Sequence, residues 1–431
     1  MRIRTVALAD LSPAERAAIV RRSAVPDTAT RVAAAEIVEA VRVGGDAALR
    51  GFDVRFGGVP AAAPLTVDPS DLAAAERAVA PDVLDALDTA AANIRLVHAS
   101  QRPTDVTIEP SPGVTVVRRW TPLRRVGLYV PGGLAAYPSS LLMAAIPAQV
   151  AGVGSIVVIS PPGPDGRLDA TVMAAAHRLG LDEVHATGGA QAIGALAYGT
   201  ETIAPVDKIV GPGGTWVTAA KLAVYGVVGV DLPAGPSEAA IVVDATADPE
   251  VAAADLLCQA EHGPDSTVVL VTADPDVAEA VVEAVSRQLQ DLKRADIVAA
   301  ALADHGMVVV ATDHRDALAF VDAWAPEHLT IHSADPDADA RLVPSAGSVF
   351  LGHWTPESAG DYATGANHIL PTGGLAAAYG PLATEDFGSW RQLQHLTREG
   401  LQGLAPTIRT LAQAEGLTAH AACVDMRLAP R

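Results

Sequence analysis

Two short segments hold residue types at spacings that could do chemistry: Gln259-Ala260-Glu261-His262, followed by Gly263-Pro264, and Pro326-Glu327-His328-Leu329. The first closes an expected helix. Asp248-Pro249-Glu250 supplies an N-cap, a proline at the first helical position and an acid at the positive end of the dipole. The helix is expected over 251–262, with Gly263-Pro264 as its stop. Gln259 and His262 then share one face of the last turn, where the negative dipole end favours a cation. The same pair would serve as a helix cap without any metal. In the second segment Pro326 breaks a helix over 315–324 and a strand begins over 329–331, which leaves Glu327 and His328 in the loop between. A carboxylate beside an imidazole suits a general base and a proton shuttle; a solvated turn would read the same way.

Two further residues have ligand chemistry: Asp361, in the loop 358–365, and His420. One carboxylate, one amide and two imidazoles would leave zinc positively charged and open to a substrate oxygen, as a Lewis acid requires. Spacing alone does not bring these segments together.

The elements that must position such residues come from composition and rhythm. The chain has 431 residues, too many for one ordinary core, so two or three lobes are expected. Half the residues are hydrophobic but only 4% are aromatic, a core of Ala, Val, Leu and Ile that favours helices on parallel strands. A net charge of −20 excludes a basic nucleic-acid-binding face. Cys258 and Cys423 are too few for a disulfide framework and fit a reduced cytoplasm, and the polar N-terminal stretch lacks the apolar run of a signal peptide. The charge-free stretch 126–164 imitates a membrane span, but Pro131, Pro138, Pro147 and Pro161 cut it into pieces shorter than the ~20 residues a span needs. It reads as a buried strand–helix–strand unit.

Strand and helix alternate over 126–236 and again over 237–381, the pattern of two doubly wound α/β lobes. Residues 1–23 read as a helical N-terminal arm, 24–125 as helices belonging with the 237–381 lobe, and 382–431 as a helical C-terminal arm. Three glycine loops follow expected strands in the 126–236 lobe: 131–133, 188–191 and 211–214. Such loops let backbone N–H groups approach a pyrophosphate, though they are also simple tight turns, and no G-x-G-x-x-G or P-loop is present.

Taken together, the sequence resembles the histidinol dehydrogenase family. The resemblance rests on Gly127-Leu-Tyr-Val-Pro-Gly-Gly133, Gly188-Gly-Ala-Gln-Ala-Ile193, Ile209-Val-Gly-Pro-Gly213, Ala234-Gly-Pro-Ser-Glu238, Gln259-Ala-Glu-His262, Pro326-Glu-His-Leu329, Gly360-Asp-Tyr362, Gly365-Ala-Asn-His-Ile-Leu-Pro-Thr372 and the stretch 415–420. It implies an aldehyde-dehydrogenase-like pair of Rossmann-like α/β lobes with helical arms, in an intertwined homodimer that shares its active sites. It implies zinc on Gln259, His262, Asp361 and His420, the last supplied by the partner subunit. Glu327 and His328 become the acid/base pair, and Ser237, Gln259, His262, His328, Asp361, Glu415 and His420 the substrate contacts. Tyr129 and Gln191 match NAD-contacting positions; Gly214 stands where the family usually has Asn, and is carried over only as a position. The implied reaction is the NAD-linked, four-electron oxidation of L-histidinol to L-histidine. A thiol route through Cys258 is the nearest rival, and a zinc hydrolase that needs no NAD is the alternative from another class.

Overall fold

The computed structural model describes residues 3–132, 136–231 and 234–430; Gly133 of the first glycine loop lies outside them. Two parallel sheets organise the chain. The larger has six strands in the order Arg4–Ala7, Gly306–Val310, Thr267–Thr272, Glu238–Val243, His328–His332 and Ser348–Leu351. The smaller has five, in the order Val184–Ala186, Ser155–Ser160, Arg125–Tyr129, Lys208–Val210 and Gly229–Val230. Every pairing in both is parallel. The central strands are unbroken Ala, Val and Ile runs, such as Glu238–Val243, buried along its whole length. A strand covered on both faces has no use for alternation. Each sheet accordingly lies between two apolar clusters.

The charge-free stretch resolves into Arg125–Tyr129, the helix Pro138–Ala151 and Ser155–Ser160, with the helix buried on nearly every side. Among the described residues no helix is long and apolar enough to cross a membrane.

Three expectations about the arms and lobes change. The N-terminal arm is not only helical: Arg4–Ala7 adds an edge strand to the larger sheet beside Gly306–Val310, ahead of the helix Pro13–Val20. The helices within 24–125 do not join the 237–381 lobe. Thr28–Gly57 packs on Gly189–Tyr198 and Thr215–Val224, Pro69–Ala78 on Ala170–Arg178, and Pro81–Ala99 on Pro138–Ala151, all in the smaller-sheet lobe. The C-terminal arm begins with a strand, Gly388–Leu396, which pairs antiparallel with Val114–Pro122, itself paired with Val106–Ser111. Beyond it the helices Arg398–Ala414 and Thr418–Leu428 pack chiefly on each other.

Candidate active site

Glu327 and His328 sit where two neighbouring strands of the larger sheet begin. His328 opens His328–His332 and lies opposite Ala239 of Glu238–Val243, so Ser237 and Glu238 are delivered beside Glu327. The preceding helix His314–Trp324 ends on Ala325, left-handed at φ 50° without a glycine, and Pro326 prevents the helix from resuming. Gly347 backs this turn: its N–H donates to the Pro326 carbonyl at 2.9 Å, and a Cβ there would stand 2.6 Å from the Glu327 carbonyl oxygen. The chain needs glycine at that contact.

Glu327 is buried, and one of its oxygens (Oε2) accepts from the Ser237 hydroxyl at 2.7 Å and from the Glu238 N–H at 2.9 Å. Burial nevertheless pushes its carboxyl well above the usual carboxylate range, since two hydrogen bonds do not offset the lost hydration, and the nearby Glu238 and Asp361 charges add to the rise. His328 moves the other way. Burial, and then the neighbouring His262 and His368, push its imidazole down to about 3, so it is neutral at physiological pH. Its Nδ1 lies 3.7 Å from Glu327 Oε2 and has no hydrogen-bond partner within the protein.

A second cluster faces this pair, with the His262 and His328 rings 6.5 Å apart between centroids. The helix Pro249–Ala260 stops slightly earlier than expected, on Glu261, which acts as its C-cap; His262 lies just beyond. The His262 Nδ1–H folds back to the Gln259 carbonyl at 3.2 Å and leaves Nε2 free to ligate. Asp361 comes from the short helix Glu357–Tyr362, and the ligand atoms of His262, Glu357 and Asp361 lie within 4.8 Å of one another. Burial raises both carboxyls, and their mutual repulsion raises Glu357 further. Gln259 is fully buried, yet neither end of its amide finds a partner in the protein. Two crowded buried acids and a free imidazole nitrogen, with the unpartnered Gln259 amide oxygen one helical turn before His262, are a donor set that fits a divalent cation.

Sequence reasoning passed over Glu357, although its i,i+4 spacing from Asp361 on one helix was a usable signal. It also gave no role to His368, whose Nδ1–H donates to the Asp361 carbonyl at 3.0 Å and whose Nε2 stands 3.3 Å from the Ser140 hydroxyl. No local pattern marks that residue. The structure does not bring Glu415 and His420 to this cluster. Both are exposed, on the C-terminal pair of helices.

Two of the glycine loops, 188–191 and 211–214, meet Tyr129 at the carboxyl end of Arg125–Tyr129. The Tyr129 hydroxyl accepts from the Gly189 N–H at 3.1 Å. The Gln191 amide donates to buried Asp53 at 3.0 Å, alongside the Thr187 hydroxyl at 2.8 Å. Beside them opens a cavity of about 350 Å³ lined by Asp53, Phe56, Pro161, Gly188, Gln191 and Trp216. At Gly211, with φ 124°, a Cβ would fall 2.0 Å from the Tyr129 carbonyl oxygen, so this loop tolerates only glycine.

Known proteins agree with this architecture. The family model for histidinol dehydrogenase matches residues 20–428. The chain belongs to the histidinol dehydrogenase family. It is 48% identical over 422 residues to the histidinol dehydrogenase of Halobacterium salinarum, covering 98% of each chain. To that of Vibrio parahaemolyticus it is 43% identical over 430 residues, covering 99% of this chain and 98% of the relative. The crystal structure of histidinol dehydrogenase from Elizabethkingia anophelis superimposes with a TM-score of 0.93 at 36% identity, over 99% of this chain and 98% of that one. The protein is therefore an oxidoreductase of histidine biosynthesis.

Within a histidinol dehydrogenase, Cys258 makes a poor nucleophile. Burial pushes its thiol far up, and the Glu357 and Asp361 charges push it further, so the thiolate is scarcely populated near neutral pH. Cys258→Ala is expected to keep histidinol oxidation within a factor of about three, under 1 kcal/mol of barrier. A steady-state assay in which Cys258→Ala and Cys258→Ser both fail on the aldehyde would restore the thiol route.

Gly214 is the N-cap of Thr215–Val224, and a Cβ there meets nothing within 4 Å. Nothing in the packing therefore demands glycine at this position. Gly214→Asn should fold, with a helix stabilised by a few tenths of a kcal/mol. If NAD binds against this loop, the added side chain should lower its KM several-fold, roughly the worth of one hydrogen bond. An unchanged KM for NAD would show that the missing side chain makes no contact.

Proposed function

We propose that this enzyme carries out the zinc-dependent, NAD-linked four-electron oxidation of L-histidinol to L-histidine through L-histidinal. It does so as a cytoplasmic homodimer with shared sites. One observation carries the reading: a buried carboxylate and a neutral imidazole, Glu327 and His328, face a cluster built to receive a cation. Gln259, His262 and Asp361 would hold zinc together with His420 of the partner subunit. Ser237, Gln259, His262, His328 and Asp361 would line the substrate, with Glu415 and His420 arriving on the exchanged arm. Tyr129, Gln191 and the loop at Gly214 would receive NAD, whose cavity Asp53 and Trp216 help to line.

When bound, zinc would fix and polarise the amino-alcohol, and NAD would take one hydride in each oxidation. His328, neutral and without a partner at Nδ1, takes the hydroxyl proton in the first oxidation. Glu327 then takes a proton from the water that adds to the aldehyde. Burial raises its carboxyl above the usual carboxylate range, which makes the ionised group a stronger base. The Ser237 hydroxyl and Glu238 N–H hold one Glu327 oxygen still and leave the other to act. Burial of the pair keeps bulk water away and helps retain the aldehyde between oxidations.

NADH formation with limiting L-histidinol and excess NAD tests the reading. Two NADH per histidinol are expected from zinc-loaded protein. One NADH with release of free aldehyde, or none, would refute the four-electron reaction.

A further inference from the structure

Arg22 lies in the link between the helices Pro13–Val20 and Thr28–Gly57, far from the acid/base pair in sequence. Its side chain is largely buried, and each of its guanidinium nitrogens is used. Nε donates to Glu238 Oε2 at 3.0 Å and Nη2 to Glu238 Oε1 at 2.6 Å, a two-point grip on one carboxylate. Nη1 donates to the Trp324 carbonyl at 2.6 Å, and the guanidinium carbon sits 3.5 Å over the Trp324 ring. Glu238 Oε1 also accepts from the Gly373 N–H at 3.1 Å.

These contacts reach both pieces of backbone that locate Glu327. On one side is Glu238, whose own N–H holds the Glu327 carboxylate. On the other is Trp324, the last residue of its helix, after which left-handed Ala325 and Pro326 carry the chain to Glu327. A turn with one strained non-glycine residue needs its ends fixed from outside. A planar fork can bind a carboxylate at two points and a carbonyl at a third; a lysine ammonium cannot reproduce that geometry.

We propose that Arg22 is a positioning residue for the acid/base pair: it clamps Glu238 to the Trp324 carbonyl and thereby sets where the Glu327 carboxylate stands. This rests on Glu327 acting as the base of the aldehyde oxidation. Small displacements of a reacting group are costly, with about 1 Å worth on the order of 100-fold in rate. Arg22 touches neither the cation cluster nor the nucleotide cavity. Its loss should therefore appear in turnover and not in metal or NAD binding.

The test supplies L-histidinal and NAD directly to zinc-loaded protein and compares wild type, Arg22→Lys and Glu327→Gln. Arg22→Lys is expected to lower kcat of the aldehyde step about 10- to 100-fold. KM for histidinal and NAD, and bound zinc per subunit, should stay near wild type. Wild-type kcat in Arg22→Lys, with Glu327→Gln slow, overturns the role of Arg22 alone. Wild-type kcat in Glu327→Gln overturns the reading of Glu327 and the inference with it. Loss of zinc and substrate affinity in parallel with kcat would mark a merely structural arginine and also overturns the proposal. Should Arg22→Lys fail to fold, the pair Arg22→Met with Glu238→Gln removes both buried charges together and carries the same expectation.

Discussion

Glu327→Gln is expected to slow oxidation of L-histidinal about 10²- to 10⁴-fold, the usual worth of a general base, while NADH formation from the alcohol continues at a much smaller loss. Glutamine fills the same space and can accept the same hydrogen bonds from the Ser237 hydroxyl and the Glu238 N–H, but it cannot take a proton. The effect should therefore be chemical. Linkage gives an independent check. The folded-state pKa of Glu327 is raised, so its stabilising contribution is full below the unfolded pKa and is lost as pH rises through the folded value. Glutamine has no such loss. The variant should melt no lower than the parent at neutral and alkaline pH, and the alkaline gain in aldehyde-step rate that follows Glu327 ionisation should disappear. Unfolding of Glu327→Gln at neutral pH, or an unchanged pH profile, would remove Glu327 from the chemistry.

His420→Ala is expected to have the second large effect, and from an unpromising position. Within its own chain His420 is exposed, and the ligand cluster that forms there is His262, Glu357 and Asp361 without it. On one chain's geometry the substitution should be silent. If His420 of the partner subunit completes the zinc site, the variant should instead lose metal on dialysis. Its histidinol turnover should fall by more than the roughly 10- to 100-fold that loss of an outer partner of a metal ligand costs. Zinc content and turnover measured on the same dialysed sample decide this. Full zinc occupancy with wild-type turnover would return His420 to the surface.

The arm that carries His420 also shows where the sequence misleads. Gly388–Leu396 is rich in Arg, Gln and Leu, all good helix formers, and reads as the start of a helical arm. It is a strand because Val114–Pro122 offers a nine-residue antiparallel partner, a fact no local window contains. Arg4–Ala7 is likewise too short to announce itself and is a strand only beside Gly306–Val310. The buried parallel strands were legible because their Val and Ile runs have no other use, and the helix caps around Asp248 because capping is local chemistry. The lobe to which 24–125 belongs was not, since amphipathic helices such as Thr28–Gly57 fit either sheet until the partner surface is known.

The site divides along the same line. The pairing of Glu327 with His328 could be read from adjacency, and that of Gln259 with His262 from their i,i+3 spacing on one helical turn. The nearness of Asp361 came only from resemblance until the fold placed it beside His262. Glu357 was readable on its helix and went unread, whereas the partners of Arg22 (Glu238) and of His368 (Ser140) lie more than two hundred residues away in the chain.

Mixing two crippled subunits tests the shared site most directly. His420→Ala subunits keep Glu327, and Glu327→Gln subunits keep His420, so if the site is shared a hybrid dimer would contain one intact site in which each chain supplies what the other lacks. Equal mixing with free exchange should restore about a quarter of wild-type histidinol-to-histidine turnover, since half the dimers are hybrids and half their sites are whole. No recovery, with subunit exchange demonstrated by a mass tag on one variant, would contradict a site built from two chains.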